Sequence, residues 1–116
     1  MSVVTPDLGK VGGLTEARLI AQTAAARGIS VAPHNIAGPV GTAFAAQVSA
    51  TFPNLLALEF HALSVPFFDD LVTEGPLIRD GHITMTDAPG IGVTLDHAAI
   101  AEHAKPGTSV FGRAGR

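Results

Sequence analysis

No cysteine, tryptophan or tyrosine occurs among these 116 residues. The absence of cysteine excludes disulfides and thiolate metal ligands and fits a reducing cytosol, so we expect a cytoplasmic protein. The seven Lys and Arg residues are scattered, and without a basic stripe we expect no nucleic-acid partner. No apolar run approaches the ~20 residues of a membrane-spanning helix, and the first residues do not resemble a signal peptide, so we expect no membrane partner.

Apolar residues are abundant by contrast. They make up 47% of the chain against 15% charged residues, and the net charge is -3. This balance argues against disorder and leaves few charged groups to coat a surface. A chain of this length forms at most one small domain. We therefore expect an ordered chain, much of whose surface is covered.

Apolar segments alternate along the chain with helix-like segments. Residues 2–8, 29–33 and 55–60 are short and apolar, and they are interleaved with alanine-rich segments at 15–27 and 41–52. Strands that are apolar throughout, rather than at every second position, are typical of a parallel sheet covered on both faces. The pattern predicts an α/β fold built from consecutive βα units.

Local signals mark the limits of the two predicted helices. Thr15 is a candidate N-cap, Glu16 lies favourably in the first turn, and Gly28 follows the last turn. Residues 38–42, Gly-Pro-Val-Gly-Thr, can cradle an anion but lack the lysine and the glycine spacing of a phosphate loop. We interpret them as the entry to the second helix.

The pattern changes in the last third of the chain. Residues 77–79 and 82–85 flank Asp80-Gly81, a dipeptide suited to a tight hairpin turn. Asp96 is a candidate cap for a short last helix that ends near residue 104. Residues 105–116 combine glycine, proline, serine and threonine with few apolar side chains, which predicts a flexible tail.

Three polar residues stand at the ends of the three apolar segments. Asp7, His34 and Glu59 follow one another at intervals of about one βα unit each. Because neighbouring parallel strands deliver their last side chains to one edge, we expect the three to share one mouth. An aspartate fixes the tautomer of a histidine and stabilises its protonated form, so the pair is a candidate acid/base. A protonated glutamate beside them is a candidate hydrogen-bond donor to a substrate carboxylate.

Each of the three also has a simpler interpretation. Asp7 precedes a glycine-rich loop and is suited to a turn in which it bonds its own backbone. His34 after a proline is compatible with a loop histidine, and Glu59 with an ordinary carboxylate at a strand end. The position of all three on successive strand ends keeps the catalytic interpretation open beside these.

The remaining polar residues are weaker candidates. His61 lies two residues after the third strand-end carboxylate and is a candidate for lining the same edge. Lys10 is interpreted as a surface lysine that can reach this edge, and Asp69-Asp70 as a solvated loop. The other histidines are not spaced as a helical metal pair. We predict that they are solvated: His82, His97 and His103.

Three longer motifs carry a family resemblance. They are PDLGKVGGLTEARLIAQTAAARGISVAPHNIAGPVGTA, PNLLALEF and DGHITMTDAPGIGVTLD. In this order and spacing, over about residues 3–96, they resemble the C-terminal end of the mandelate racemase branch of the enolase superfamily. Within that branch the chain is most similar to the sugar-acid dehydratases related to galactonate dehydratase, chiefly through APHNIAGPVGTA.

The resemblance implies a TIM-type (β/α) barrel, of which this chain supplies the last three strands, the hairpin and the short helix. It assigns residues 1–104 to the C-terminal portion of the barrel domain and 105–116 to the tail. It implies that His34 is the acid/base, Asp7 its orienting partner and Glu59, with His34, a substrate-binding group for a sugar acid. The family uses Mg2+ to stabilise an enediolate, and its metal ligands lie on earlier strands, so we expect none here.

Several functions stay open. The chain is interpreted first as a segment of a Mg2+-dependent sugar-acid dehydratase, inactive until a missing N-terminal half or another copy completes it. A second interpretation is a non-catalytic remnant or association module, because exposed strand edges favour association. A racemase or epimerase of the same superfamily is a third. A complete small α/β domain that binds an anionic metabolite at helix N-termini is a fourth.

Overall fold

Two parallel strands and three helices form the regular part of the fold. A computed structural model describes residues 2–61 and 64–109. In chain order the elements are β1 (Val3–Val4), α1 (Leu14–Ala25), β2 (Ser30–Val31), α2 (Pro39–Ser49), a 3-10 helix (Asp69–Leu71) and α3 (His97–His103). β1 and β2 pair in parallel, with Val4 opposite Val31. Among the helices of the described segments, none has the length and apolar character needed to cross a membrane.

The strands are shorter than predicted because prolines interrupt their ladders. Ala32 N–H donates to Val4 O at 2.9 Å, and His34 N–H donates to Pro6 O at 3.0 Å. In a regular parallel ladder another hydrogen bond would lie between these two, donated by the N–H of residue 6. Pro6 has no N–H, so this bond is missing. Pairing nevertheless continues to Asp7, which lies opposite His34 in an isolated parallel bridge. The backbone therefore follows the predicted strand to the candidate site without forming a continuous strand.

The third predicted strand, residues 55–60, is not regular, although its first half runs parallel to β2. Leu55 lies opposite Val31, and Leu56 N–H donates to Val31 O at 2.7 Å. The segment was predicted to be covered on both faces, but Leu56 is 55% exposed and Phe60 38% exposed. Within the described residues its ladder pairs with β2 alone, so one edge of the segment lacks a covering neighbour.

Both long helices turn small side chains toward the sheet. The buried residues that form the core are Leu8, Ala17, Ala21, Ala24, Val31, Ala45, Val48 and Phe52. Alanine faces let α1 and α2 approach the strands closely, and this packing fixes the strands that carry the candidate site.

The limits of α1 depart from the prediction at one end. Gly13, with φ 105°, turns the chain into the helix without a side-chain capping bond, so Thr15 is not the cap. The other end is a glycine stop as predicted. Gly28 has φ 66°, its N–H donates to Ala25 O, and Ile29 N–H donates to Ala24 O, both at 3.0 Å. These bonds satisfy the last carbonyls of the helix as a Schellman motif does.

α2 begins and ends earlier than predicted. Pro39 is the first residue of the helix, after the N-cap Gly38. At this position the fixed φ of proline and its missing N–H cost nothing. Residues 38–42 are thus the helix entry, as interpreted from the sequence. At the other end Thr51 N–H donates to Val48 O and Phe52 N–H to Ser49 O, and this tighter turn ends the helix before residue 52.

The last third of the chain forms fewer regular elements than predicted. Asp80 and Gly81 have φ 50° and 74°, as a tight hairpin turn requires. The flanking arms were predicted as strands, but Arg79 and His82 form a single antiparallel bridge and the residues around them are irregular. Asp69, predicted in a loop, begins the 3-10 helix.

The predicted cap of the last helix is confirmed. Asp96 Oδ1 accepts the N–H groups of Ala98 and Ala99, each at 2.9 Å. Two donors at the helix start are thereby satisfied by one carboxylate. The predicted tail lies mostly outside the described residues, which end at 109 with a turn closed by Thr108 N–H and Lys105 O.

Candidate active site

Asp7, His34 and Glu59 lie side by side at one edge of the parallel segments. Asp7 Oδ2 is 3.1 Å from His34 Nδ1, and Glu59 Oε2 is 4.0 Å from His34 Nε2. The imidazole therefore stands between two carboxylates, one within hydrogen-bond distance and one at ion-pair distance. The structure brings together the three side chains that the strand-end spacing singled out.

A one-residue bulge places the glutamate, rather than the leucine before it, beside the histidine. Leu55 lies opposite Val31. In a regular parallel ladder the third residue after each would also be opposite, which would pair Leu58 with His34. Glu59 occupies that place instead, because the segment contains one residue more than β2 over the same distance.

The backbone hydrogen bonds locate this bulge. Glu59 N–H donates to Pro33 O at 3.0 Å, a bond that Leu58 N–H would make in a regular ladder. Pro33 offers no N–H for the return bond. The ladder is thus already interrupted at this point, and an extra residue is inserted there without the loss of a further bond.

Asp7 combines the turn interpretation with the catalytic one. Its Oδ1 accepts the N–H of Gly9 at 3.1 Å, while its Oδ2 contacts both His34 and the ammonium of Lys10, the latter at 2.9 Å. The hydrogen bond from Lys10 is the main reason that the pKa of Asp7 lies below its ordinary value, and His34 and the Gly9 N–H lower it further against partial desolvation. Asp7 is therefore an anion near neutral pH.

The ionised carboxylate selects the tautomer of the histidine. An anionic Asp7 accepts a hydrogen bond from Nδ1–H of His34, so the other ring nitrogen of the neutral imidazole carries the lone pair. This tautomer is assigned from the hydrogen-bond geometry. The His34 side chain is 33% exposed, so Nε2 is open to a proton donor. The arrangement is suited to general acid/base chemistry.

The loop after His34 is held by buried polar residues that sequence reasoning did not single out. Asn35 Nδ2 donates to Thr42 Oγ1 at 3.1 Å, and Thr42 Oγ1 donates to Ala37 O at 3.2 Å. Asn35 is 4% exposed and Thr42 is fully buried. This network ties the loop to α2 and so fixes the backbone that carries His34. Asn35 and Thr42 both lie within the motif APHNIAGPVGTA, but nothing local in it indicates that their side chains bond each other, which is why the pair was missed.

Two cavities adjoin the site, whereas the sequence predicted one mouth. A cavity of about 270 Å3 is lined by Asp7, Lys10 and His34 together with Phe44. A more apolar one of about 560 Å3 is lined by Glu59 and the leucines before it. Asp7 and His34 line the smaller cavity and Glu59 lines the larger one. Because the bulge brings Glu59 beside the imidazole, the three side chains lie between the two cavities.

The weaker candidates lie elsewhere or make other contacts. The ring of His61 packs against Phe60 and Phe68, with ring centroids 4.1 and 6.1 Å apart. His103 stacks on Phe67 at 4.5 Å although it is exposed. The three histidines predicted to be solvated are exposed: His82, His97 and His103.

The fit of these residues to Mg2+ is poor. Over the described stretches of the chain, no three His, Cys, Asp or Glu side chains converge as metal ligands. In the candidate site, the carboxylate of Asp7 already bonds the ammonium of Lys10 and the imidazole of His34. Residues 2–61 and 64–109 therefore do not form a magnesium site.

The chain that carries these residues belongs to a known protein family. The model of the enolase C-terminal domain-like family matches residues 1–99. The chain is therefore a member of that family, whose fold is like a TIM barrel, and the resemblance drawn from the motifs is confirmed.

The similar proteins include a sugar-acid dehydratase and a mandelate racemase/muconate lactonizing enzyme-like protein. The D-xylonate dehydratase of Haloferax volcanii is 43% identical over 111 residues, which cover 96% of this chain and 27% of the relative. A mandelate racemase/muconate lactonizing enzyme-like protein from Rubrobacter xylanophilus superposes with a TM-score of 0.87 at 46% identity, covering 97% of this chain and 29% of that protein.

A third relative was solved with ligands. It is an enolase from Pseudomonas fluorescens with bound magnesium, potassium and tartrate, and it superposes with a TM-score of 0.76 at 29% identity, covering 88% of this chain and 25% of that one. This chain thus spans between a quarter and three tenths of the length of these three relatives.

Proposed function

We propose that this chain carries the proton-transfer half of a sugar-acid dehydratase site and is inactive until further strands complete the barrel. The observation that carries the proposal is the imidazole of His34, bonded through Nδ1 to Asp7 and with Nε2 4.0 Å from Glu59. The dehydratase relative at 43% identity supports a sugar acid as the substrate, and the tartrate-bound relative supports a polyhydroxylated carboxylate as a ligand.

In this proposal His34 moves the proton. Nε2 of the neutral ring takes the hydrogen α to the substrate carboxylate, and the electron pair of the C–H bond moves toward that carboxylate. Asp7 stabilises the resulting imidazolium through Nδ1. The imidazolium then gives this proton to the β-hydroxyl while the electron pair returns from the carboxylate to form the Cα–Cβ double bond. The Cβ–O bond breaks and water departs, which leaves an enol that tautomerises to a 2-keto-3-deoxy acid. No step is assigned to Mg2+, because the described residues do not provide its ligands.

Glu59 is proposed to contact the substrate. Its side chain is 49% exposed and its Oε2 lies 4.0 Å from Nε2, so it stands beside the atom that exchanges the proton. In its protonated form it donates a hydrogen bond to the substrate carboxylate or to the oxygen that gains charge. In its ionised form it adds to the stabilisation of the imidazolium.

A chimaeric enzyme tests the proposal. This chain replaces the corresponding C-terminal part of the Haloferax volcanii relative, and 2-keto-3-deoxy acid formation is measured with xylonate, gluconate and galactonate in the presence of Mg2+. We expect turnover by the chimaera and none by the chain alone. His34→Ala is expected to lower kcat by about 10²-fold or more, the usual contribution of a general acid/base. Gln47→Ala serves as the control, because Gln47 lies away from Asp7, His34 and Glu59.

The outcomes separate the competing functions. A folded chimaera without turnover would contradict the dehydratase proposal and favour a remnant. Turnover by the isolated chain would contradict the need for further strands. If the chimaera in D2O exchanges the α hydrogen without forming a keto acid, the racemase interpretation gains support, because a racemase returns the proton instead of expelling hydroxide.

A further inference from the structure

Lys10 makes a contact that the Asp7–His34 pair alone does not explain. Its Nζ lies 2.9 Å from Asp7 Oδ2, the same oxygen that lies 3.1 Å from His34 Nδ1. The other oxygen of Asp7 accepts the N–H of Gly9. One carboxylate oxygen thus serves two donors, one of which is a permanent cation near neutral pH.

The turn after β1 holds Lys10 in this place. Lys10 N–H donates to Asp7 O at 2.9 Å, and Val11 N–H donates to the same carbonyl at 3.1 Å. The side chain therefore reaches back over a closed turn to the carboxylate. Its exposure of 76%, against 26% for Asp7, shows that the alkyl stem takes little part in packing, so its role lies in the charge.

The charges around the imidazole are otherwise acidic. Asp7 faces Nδ1 and Glu59 faces Nε2, so a carboxylate stands beside each ring nitrogen. Only a neutral imidazole accepts a proton from a substrate. The ammonium of Lys10 offsets part of this negative charge at the oxygen that bonds the ring.

We propose that Lys10 is a positioning residue of the candidate site, which limits the negative charge that Asp7 presents to His34 and so leaves the imidazole free to exchange its proton. The contact between Lys10 and Asp7 is seen in the structure, while its catalytic role rests on the proposed function. Lys10 and His34 thus share Oδ2 of Asp7. The lowered pKa of Asp7, whose largest cause is the hydrogen bond from Lys10, agrees with this sharing.

NMR of the isotope-labelled chain tests the contact without any assay of turnover. The variants are Lys10→Met, Lys10→Gln and Lys10→Arg, with Lys105→Met as the control, since these are the two lysines of the sequence. The readouts are the pH titration of the Asp7 carboxyl carbon and the ring nitrogen shifts of His34 in its neutral form. Amide spectra establish that each variant is folded.

Loss of the ammonium is expected to raise the pKa of Asp7 and to increase the fraction of the His34 tautomer with its hydrogen on Nδ1. Lys10→Arg should restore both readouts, and Lys105→Met should leave them as in the parent chain. Ring nitrogen shifts that stay unchanged in Lys10→Met and Lys10→Gln would overturn the proposal, even if the Asp7 titration moved.

The catalytic consequence is read separately in the chimaera. Lys10→Met is expected to move the acidic limb of the kcat/KM profile to higher pH, because the more negative site holds the base protonated over a wider range. An unmoved limb would overturn the positioning role. A chimaera without turnover would count against the proposed function and would leave the NMR result unaffected.

Discussion

Asp7 shows how one side chain takes part in both the fold and the candidate chemistry. Through Oδ1 it closes a turn with Gly9, and through Oδ2 it holds His34 and Lys10. The bond from Gly9 orients the carboxylate, so the imidazole meets an acceptor that is already positioned. A turn aspartate and an orienting carboxylate are therefore compatible roles at this position.

The depressed pKa of Asp7 predicts a pH dependence of folding stability. A carboxylate whose folded pKa lies below its unfolded value, ordinarily 3.8, contributes stability that is fully present above the unfolded pKa and is lost as pH falls through the folded pKa. We expect the thermal midpoint to fall as the pH is lowered below about 4. Asp7→Asn should lose the part of this dependence that Asp7 contributes.

The measurement is the thermal midpoint of the chain and its variants between pH 6 and about 2.5, followed by circular dichroism. Glu74, whose pKa is also lowered, chiefly by the backbone N–H of Thr94, contributes to the same slope, so the informative quantity is the difference between parent and variant. Asp87→Asn, an exposed loop position, is the control. Parallel curves for the parent chain and Asp7→Asn would contradict the prediction.

At the scale of elements, the bulge in residues 55–60 determines which side chain reaches the histidine. In the chimaera, exchanging the two residues by Leu58→Glu and Glu59→Leu keeps the composition but moves the carboxylate off the position opposite His34. We expect kcat/KM to fall by about 10-fold or more, the scale of one lost charged hydrogen bond of ~1.5 kcal/mol or more.

Two single changes complete this test of register. Glu59→Gln keeps the position and removes the charge, and Leu58→Ala keeps the glutamate in place. The bulge is contradicted if the exchanged variant retains the activity of the parent chimaera while Glu59→Gln loses it, since a carboxylate at position 58 would then reach the site.

The helices and strand ends could be predicted from the sequence because their signals are local. Gly28 as a helix stop, Asp96 as a cap and the apolar run before His34 each depend on neighbours within a few residues. The bulge and the buried Asn35–Thr42 bond depend on segments that meet only in the fold. Thr15 was wrong as a cap because Gly13, with φ 105°, turns the chain into a helix that already begins at Leu14.

At the scale of the whole molecule, the chain is less compact than a complete domain of its length. Its radius of gyration is 16.0 Å, whereas a compact domain of this size has one of about 13 Å. Large apolar side chains stay exposed, and the segment 55–60 carries three of them: Leu55, Leu56 and Phe60. This surface is what the composition predicted when it indicated few charges to coat the chain.

An exposed apolar segment with an unpaired edge predicts self-association of the isolated chain. Backbone N–H and C=O groups at a strand edge pair with another chain unless a charge or a covering element prevents it. We expect the mean mass in sedimentation velocity to rise with concentration, and Leu56→Lys to reduce this rise by placing a charge on the edge. Leu19→Lys on α1 is the matched control, because Leu19 and Leu56 are both 55% exposed and only Leu56 lies in the segment that pairs with β2.

The two leucines separate edge pairing from general stickiness. Equal effects of both substitutions would show that association depends on apolar area alone, and a parent chain that stays monomeric would contradict the prediction. If Leu56→Lys alone restores the monomer, the edge beside Glu59 is the surface through which this chain meets other strands. In the proposed dehydratase, the same edge is where further strands of the barrel join and bring the rest of the site to His34.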